Sequence, residues 1–315
     1  MRSISRAGPL LGSLLVMHCA SVALCTPLAP SFSLSIKTMP YSKLDKPDSN
    51  MMNNQRNFKQ DLKVALSSYQ LGASFPVALT NKRKMINHQI AFKRLNFDYK
   101  NWNSAQGGPK FNKAYAVSYG IAYMNRISRK KSFMASFRPS LSSDLRDNIT
   151  SKDFNASAFL MWRKRHNERW TFNYGLGYSF RFGKGLPFPF FAFTWNNGAK
   201  LSIRFMPPIG IGTNYQVSKK TNLGLSVGMD GNQYHASKSR HGFENPRIRY
   251  SSLTFGPSIS HRFENNTTMT FNTGITLTRR LAFYDTSTKI SSYDLKNTGF
   301  AQLGIRFGNK SAAGF

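Results

Sequence analysis

The chain has 315 residues, 40% of them hydrophobic and 14% aromatic, with a mean hydropathy of −0.40. That apolar content excludes disorder of the whole chain, and so polar an average excludes a bundle of membrane helices, since each spanning helix needs about 20 mostly apolar residues. Lys and Arg number 44 against 13 Asp and Glu, a formal net charge of +31, which points to an anionic partner, either nucleic acid or phosphorylated lipid.

The chain opens with Arg2 and Arg6, an uncharged apolar run from Leu10 to Leu24, and the small residues Ser21-Val22-Ala23. This is the pattern of a cleaved signal peptide over residues 1–23, and export favours lipid over nucleic acid as the partner. Cys19 and Cys25 lie in or beside that signal, so an exported domain has at most one thiol and no internal disulfide. Residues 24–60 carry Pro27, Pro30, Pro40 and Pro47 and polar runs such as Asn53-Asn54-Gln55, and are expected to form a flexible periplasmic arm or a plug.

From there the sequence alternates with period two. Tyr69, Leu71, Ala73, Phe75 and Val77 share one parity. Tyr115, Val117, Tyr119, Ile121 and Tyr123 follow, and then Trp170, Phe172, Tyr174, Leu176 and Tyr178 alternate with Thr171, Asn173, Gly175, Gly177 and Ser179. The same pattern recurs through Leu223, Leu225 and Val227, through Met269 and Phe271, and through Ala301, Leu303, Ile305 and Phe307. One apolar face and one small or polar face define half-buried strands. Short turns, such as 128–131 and 218–221, alternate with longer connections, such as 143–153 and 235–245. Short turns on one rim and long loops on the other are what a transmembrane antiparallel up-and-down β-barrel requires. Counting from Met85 predicts twelve strands, and a further hairpin from residues 61–80 would make fourteen.

These features together resemble bacterial outer-membrane β-barrel proteins over roughly residues 60–315. The run Gly185-Leu186-Pro187-Phe188-Pro189-Phe190, the Pro207-Pro208 pair and the final Gly304-Ile305-Arg306-Phe307 are similar to outer-membrane barrels classed only as a domain of unknown function. The resemblance implies a bacterial outer-membrane location and recognition by the barrel assembly machinery. In many such barrels a terminal aromatic closes the last strand; here Gly308 to Phe315 follow that strand as a tail.

Arg181, Lys200, Arg204, Arg280 and Arg306 fall on the small or polar parity and are the candidate pore-lining residues. A lumen so lined prefers anions, whereas in a closed structural barrel the same cations pair internally. Basic clusters such as Arg129-Lys130-Lys131 and Arg163-Lys164-Arg165 suit the phosphates of outer-membrane lipid, including lipopolysaccharide. No nucleic-acid-binding module accompanies the charge. The enzymatic alternative rests on His235-Ala236-Ser237 with Glu244 downstream, similar to the His-x-Ser arrangement of outer-membrane lipid deacylases and phospholipase A, and implies a lipid esterase. No His or Cys pair has metal-ligand spacing, so neither a metal site nor a cofactor is expected.

Overall fold

Each alternating segment forms a strand, because a period of two sends neighbouring side chains to opposite faces. The computed structural model describes residues 30–45, 62–79, 83–101, 111–179, 185–207, 210–237, 244–286 and 288–308. The expected signal peptide, both cysteines, Arg181 and Phe315 lie outside the described residues. The strands are β1 (Ser31–Lys43), β2 (Lys63–Ala78), β3 (Lys84–Lys100), β4 (Lys113–Arg126), β5 (Lys131–Ser143), β6 (Phe154–Arg165), β7 (Trp170–Ser179) and β8 (Leu186–Asn196). They continue as β9 (Leu201–Met206), β10 (Gly210–Gln216), β11 (Thr221–His235), β12 (Pro246–Arg262), β13 (Thr268–Asp285), β14 (Thr288–Asp294) and β15 (Gly299–Phe307).

Strands β1 to β13 each pair antiparallel with the next, and β15 closes the ring between β13 and β1. Strands β14 and β15 follow one another along the same edge of β13, so they are one interrupted wall strand and the barrel has fourteen. The expectation of twelve is therefore corrected. The added pair is β2, the alternation noted within residues 61–80, and β1, which lies in the segment expected to be an arm or plug. Phe32, Leu34 and Ile36 alternate there with Ser33, Ser35 and Lys37. Pro40 sits where the register with β2 slips between Met39 and Ser42, and a bulge spares the ladder its missing N–H.

The short rim is built from tight turns. Ser128, Asn167, Asn197 and Ser218 each accept hydrogen bonds from backbone N–H groups two to four residues ahead, which fixes the reversal. Around the wall, Leu71, Ile90, Leu176, Phe191, Leu225 and Phe271 are exposed on the outer face. In water such a belt is unfavourable, and in a bilayer it is the required surface.

Above the belt the chemistry inverts. The inward residues of β3 run Asn87, Gln89 and Lys93, then Leu95, Phe97 and Tyr99, which are buried. Its outward residues change from Ile86 and Ile90 to Arg94, Asp98 and Lys100. Beyond the belt the wall thus has an apolar interior and a polar exterior, as in a barrel made for water. Its core joins Val64, Phe97, Tyr234, Ile248, Leu281 and Tyr293 from five further strands besides β3.

Strand β11 creates this second compartment. Its first half pairs with β10 up to Gly228, but its outer half departs from the wall and crosses the lumen, where His235 pairs parallel with Ser143 of β5. Leu44 bridges Leu295 on the far side. The outer parts of β1 to β5 and β11 to β14 thereby form a nine-element ring around the apolar core, a dome over the barrel.

Candidate functional site

Beneath the dome lies a cavity of about 480 Å³. Among the described residues, four cations, Lys37, Lys93, Arg138 and Arg204, line it with a single carboxylate, Asp230, beside hydroxyls and amides. Lys93 Nζ of β3 lies 2.8 Å from Asp230 Oδ1 of β11, an ion pair between strands on opposite walls that forms only because β11 leans inward. Lys37 is buried over the Phe300 ring, attracted by Asp230 and repelled by Lys93 and Arg279. Arg138 donates to Gln89. Arg279, 1% exposed, donates to Ser42 Oγ, while its Nε and Nη2 find no hydrogen-bond partner among the described residues.

The end of β11 is fastened to β5, β6 and the connection between them by a series of bonds. Asn232 Nδ2 donates to Ser142 Oγ at 3.3 Å, Asn155 Nδ2 to the Gln233 carbonyl at 3.2 Å, and the Asp144 N–H to the His235 carbonyl at 3.1 Å. His235 Nδ1 donates to Asp153 Oδ1 at 2.8 Å, since a carboxylate has no hydrogen to give. Burial pushes the Asp153 carboxyl pKa up, but the Thr150 N–H, the Ser143 hydroxyl and His235 together outweigh it. The group therefore titrates below the ordinary carboxylate range.

The nominated cations are not all where parity alone puts them. Arg204 lines the cavity, and Arg306 faces inward near the short rim. Lys200 lies in the exposed β8–β9 turn rather than on the wall. Arg280 points outward and pairs with Asp294 at 2.7 Å. The cause is a bulge: Leu253 faces Thr278 and Thr254 faces Thr276, so Leu277 is an extra residue that flips the parity and turns Arg279 inward. Arg181 lies outside the described residues.

The enzymatic set does not assemble. Ser237 Oγ donates to Asp144 Oδ2 at 3.0 Å, His235 turns to Asp153, and Glu244 is exposed with its N–H on Asp285. Sequence reading missed Lys37, Lys93 and Arg138, and it placed Asp230 on the long-loop side rather than in the lumen. Lys37 shares the parity of Ser33 and Ser35, and that signal was available once residues 31–43 were taken as strand. Among the described residues no group of three His, Cys, Asp or Glu side chains is placed to hold a metal.

Among the described residues the wall beside the cavity is incomplete. β9 has 6 residues and β10 has 7, fewer than the roughly 9 to 11 a tilted spanning strand needs. β8 pairs with β9 only from Phe193 onward, and β10 with β11 only up to Gly228. Residues 186–192 of β8 and 229–235 of β11 therefore present edges without a described strand between them. On the inner side, Phe159, Phe188 and Phe190 stack edge to face with centroids 6.0 and 6.2 Å apart. They fill the space over Gly177, where a Cβ would meet Phe188 at 2.7 Å and Phe159 at 2.8 Å.

The family model for DUF6268, a domain of unknown function, matches residues 29–308. A search of curated proteins finds no match. Among solved structures, the chain is similar to an outer membrane channel of the COG4313 group from Pseudomonas putida F1, with TM-score 0.47 and 11% identity over 93% of this chain and 99% of that one. It is similar to a FadL homologue from Pseudomonas aeruginosa, with TM-score 0.45 and 9% identity over 89% and 90%. It is also similar to LpxR from Salmonella typhimurium, with TM-score 0.36 and 8% identity over 88% and 99%.

Proposed function

For a chain that belongs to the DUF6268 family, we propose residence in the bacterial outer membrane as a barrel whose cation-lined lumen is closed to the outside by its dome. The observation that carries this reading is the crossing of β11 to β5, which lays an apolar core over the outer end of the lumen. Such a barrel is not a general open pore. The four cations against one carboxylate that line it among the described residues favour an anionic occupant, with Arg204 the lining residue already nominated from sequence. Lipid phosphates are its surface partners in this reading, met by short-rim cations such as Lys130 and Lys164.

The test is planar-bilayer recording of the refolded protein, with insertion verified separately. Inserted wild-type protein is expected to be silent, with rare brief openings that prefer anions. A steady current from most inserted molecules overturns the occluded reading.

A further inference from the structure

We infer that the gap between β8 and β11 is a lateral portal through which a single-chain anionic amphiphile passes between the bilayer hydrocarbon and the cavity. This rests on the proposed membrane residence and on the cation-rich lumen.

The first support is depth. Six residues of a strand tilted by about 45° rise only about 14 Å, against an apolar belt of about 25 Å. The described residues of β9 and β10 therefore span only part of the hydrocarbon. On the neighbouring wall the lipid-facing surface continues past that level: Leu176 of β7 is 58% exposed and Phe191 of β8 is 51% exposed.

The second support is the chemistry of the free edge. Open strand edges are untenable in lipid unless their backbone groups are satisfied or absent. Pro187 and Pro189 lie opposite Tyr178 and Leu176, in a ladder with β7 that continues through both positions. A proline has no N–H to offer, so these two leave the other side of β8 with fewer unmet donors. They also make that edge a poor template for a strand from a second copy. The β11 edge is withdrawn under the dome, its Gln233 carbonyl taken by Asn155.

The third support is what lies behind the gap. Ser157, Ser179 and Met206 beside it and Lys37 and Gln302 below line the same cavity, so the space behind the portal is continuous with the lumen. Met206 and Phe300 give it apolar lining, and Arg204 and Arg138 give it charge. An alkyl tail against these apolar side chains with its anionic head toward the arginines matches both features.

The experiment uses the full barrel in vesicles, with a fluorophore on Ser157→Cys, near the portal, or on Asn272→Cys, on the opposite wall. The probe is 12-bromododecanoate, whose bromine quenches on contact. Saturable quenching is expected at position 157, with bromododecylamine at least about tenfold weaker and Arg204→Met weakening the carboxylate to a similar degree. Because the amine comparison needs no variant, a misfolded Arg204→Met protein does not weaken the test. Equal quenching at both positions, no quenching at 157, or equal response to amine and carboxylate overturns the portal. So does a stable dimer that shields the 157 label. Steady wild-type conductance overturns occlusion alone, so the two failures are distinguishable.

Discussion

Replacing Asp230 with Asn removes the one carboxylate among the described residues that line the cavity while keeping its size. At 2.8 Å and an effective permittivity near 20, the attraction between Lys93 and Asp230 is about 6 kcal/mol before desolvation. The side chains are 18% and 32% exposed, so part of that attraction is screened and part is offset by the cost of removing the charges from water. A net loss of about 2 kcal/mol remains, because the variant also leaves Lys37 and Lys93 facing each other without a counter-charge. At about 1.4 kcal/mol per factor of ten, the population with β11 swung off β3 rises by about 30-fold. In planar bilayers, Asp230→Asn is expected to raise open probability by at least about tenfold, with stronger anion preference than wild type. Lys93→Ala combined with Asp230→Ala should open less than the two single effects added, since both remove one bond. An open probability equal to wild type in Asp230→Asn refutes the view that this ion pair holds the crossing strand.

Gly256 of β12 approaches the β13 backbone so closely that a Cβ would lie 1.8 Å from the Thr273 carbonyl oxygen. Gly256→Ala must therefore separate the two strands, at a cost of about 3 kcal/mol or more, read as an earlier urea midpoint by heat-modifiable gel mobility. The depressed Asp153 pKa gives a second prediction, about the β11 latch. A carboxyl whose folded pKa lies below its unfolded value stabilises fully above the unfolded value, near 3.9, and loses that contribution as pH falls through the folded one. The latch is expected to hold from neutral pH to about pH 4 and loosen below it, seen as openings in acid that Asp153→Ala shows at all pH values.

How much of this was legible in the residues depends on whether chemistry followed parity. The wall strands, the short turns and the lipid face follow from alternation alone, as at Trp170 to Tyr178 paired with Pro187 to Trp195. Strand β2 was legible as the alternation within residues 61–80, but β1 was hidden because Pro40 resembles a linker signal until its bulge is seen. Arg280 and Arg279 exchanged roles through one extra residue, Leu277, and nothing local in Thr276-Leu277-Thr278 announces a bulge. The dome was hidden for another reason. Asn232, Gln233, Tyr234 and His235 continue the alternation of β11 while their partners lie on β5, β6 and the β5–β6 connection, so the crossing is set by tertiary contacts that no window of sequence contains. The same holds for His235 and Ser237, whose neighbours are Asp153 and Asp144 and not each other.

The central claim is that β11 crosses the lumen to β5, and its most direct test is a cross-link between them. Asn232→Cys with Ser142→Cys replaces side chains whose tips lie 3.3 Å apart, on strands whose backbones pair at His235 and Ser143. Asn222→Cys on the short-rim half of β11 serves as the unlinked control with the same Ser142→Cys. Rapid, near-complete oxidation of the first pair and none of the control, in protein refolded into vesicles, is the predicted result. Absence of the 232–142 link in folded protein would contradict the dome, and with it both the occlusion and the portal.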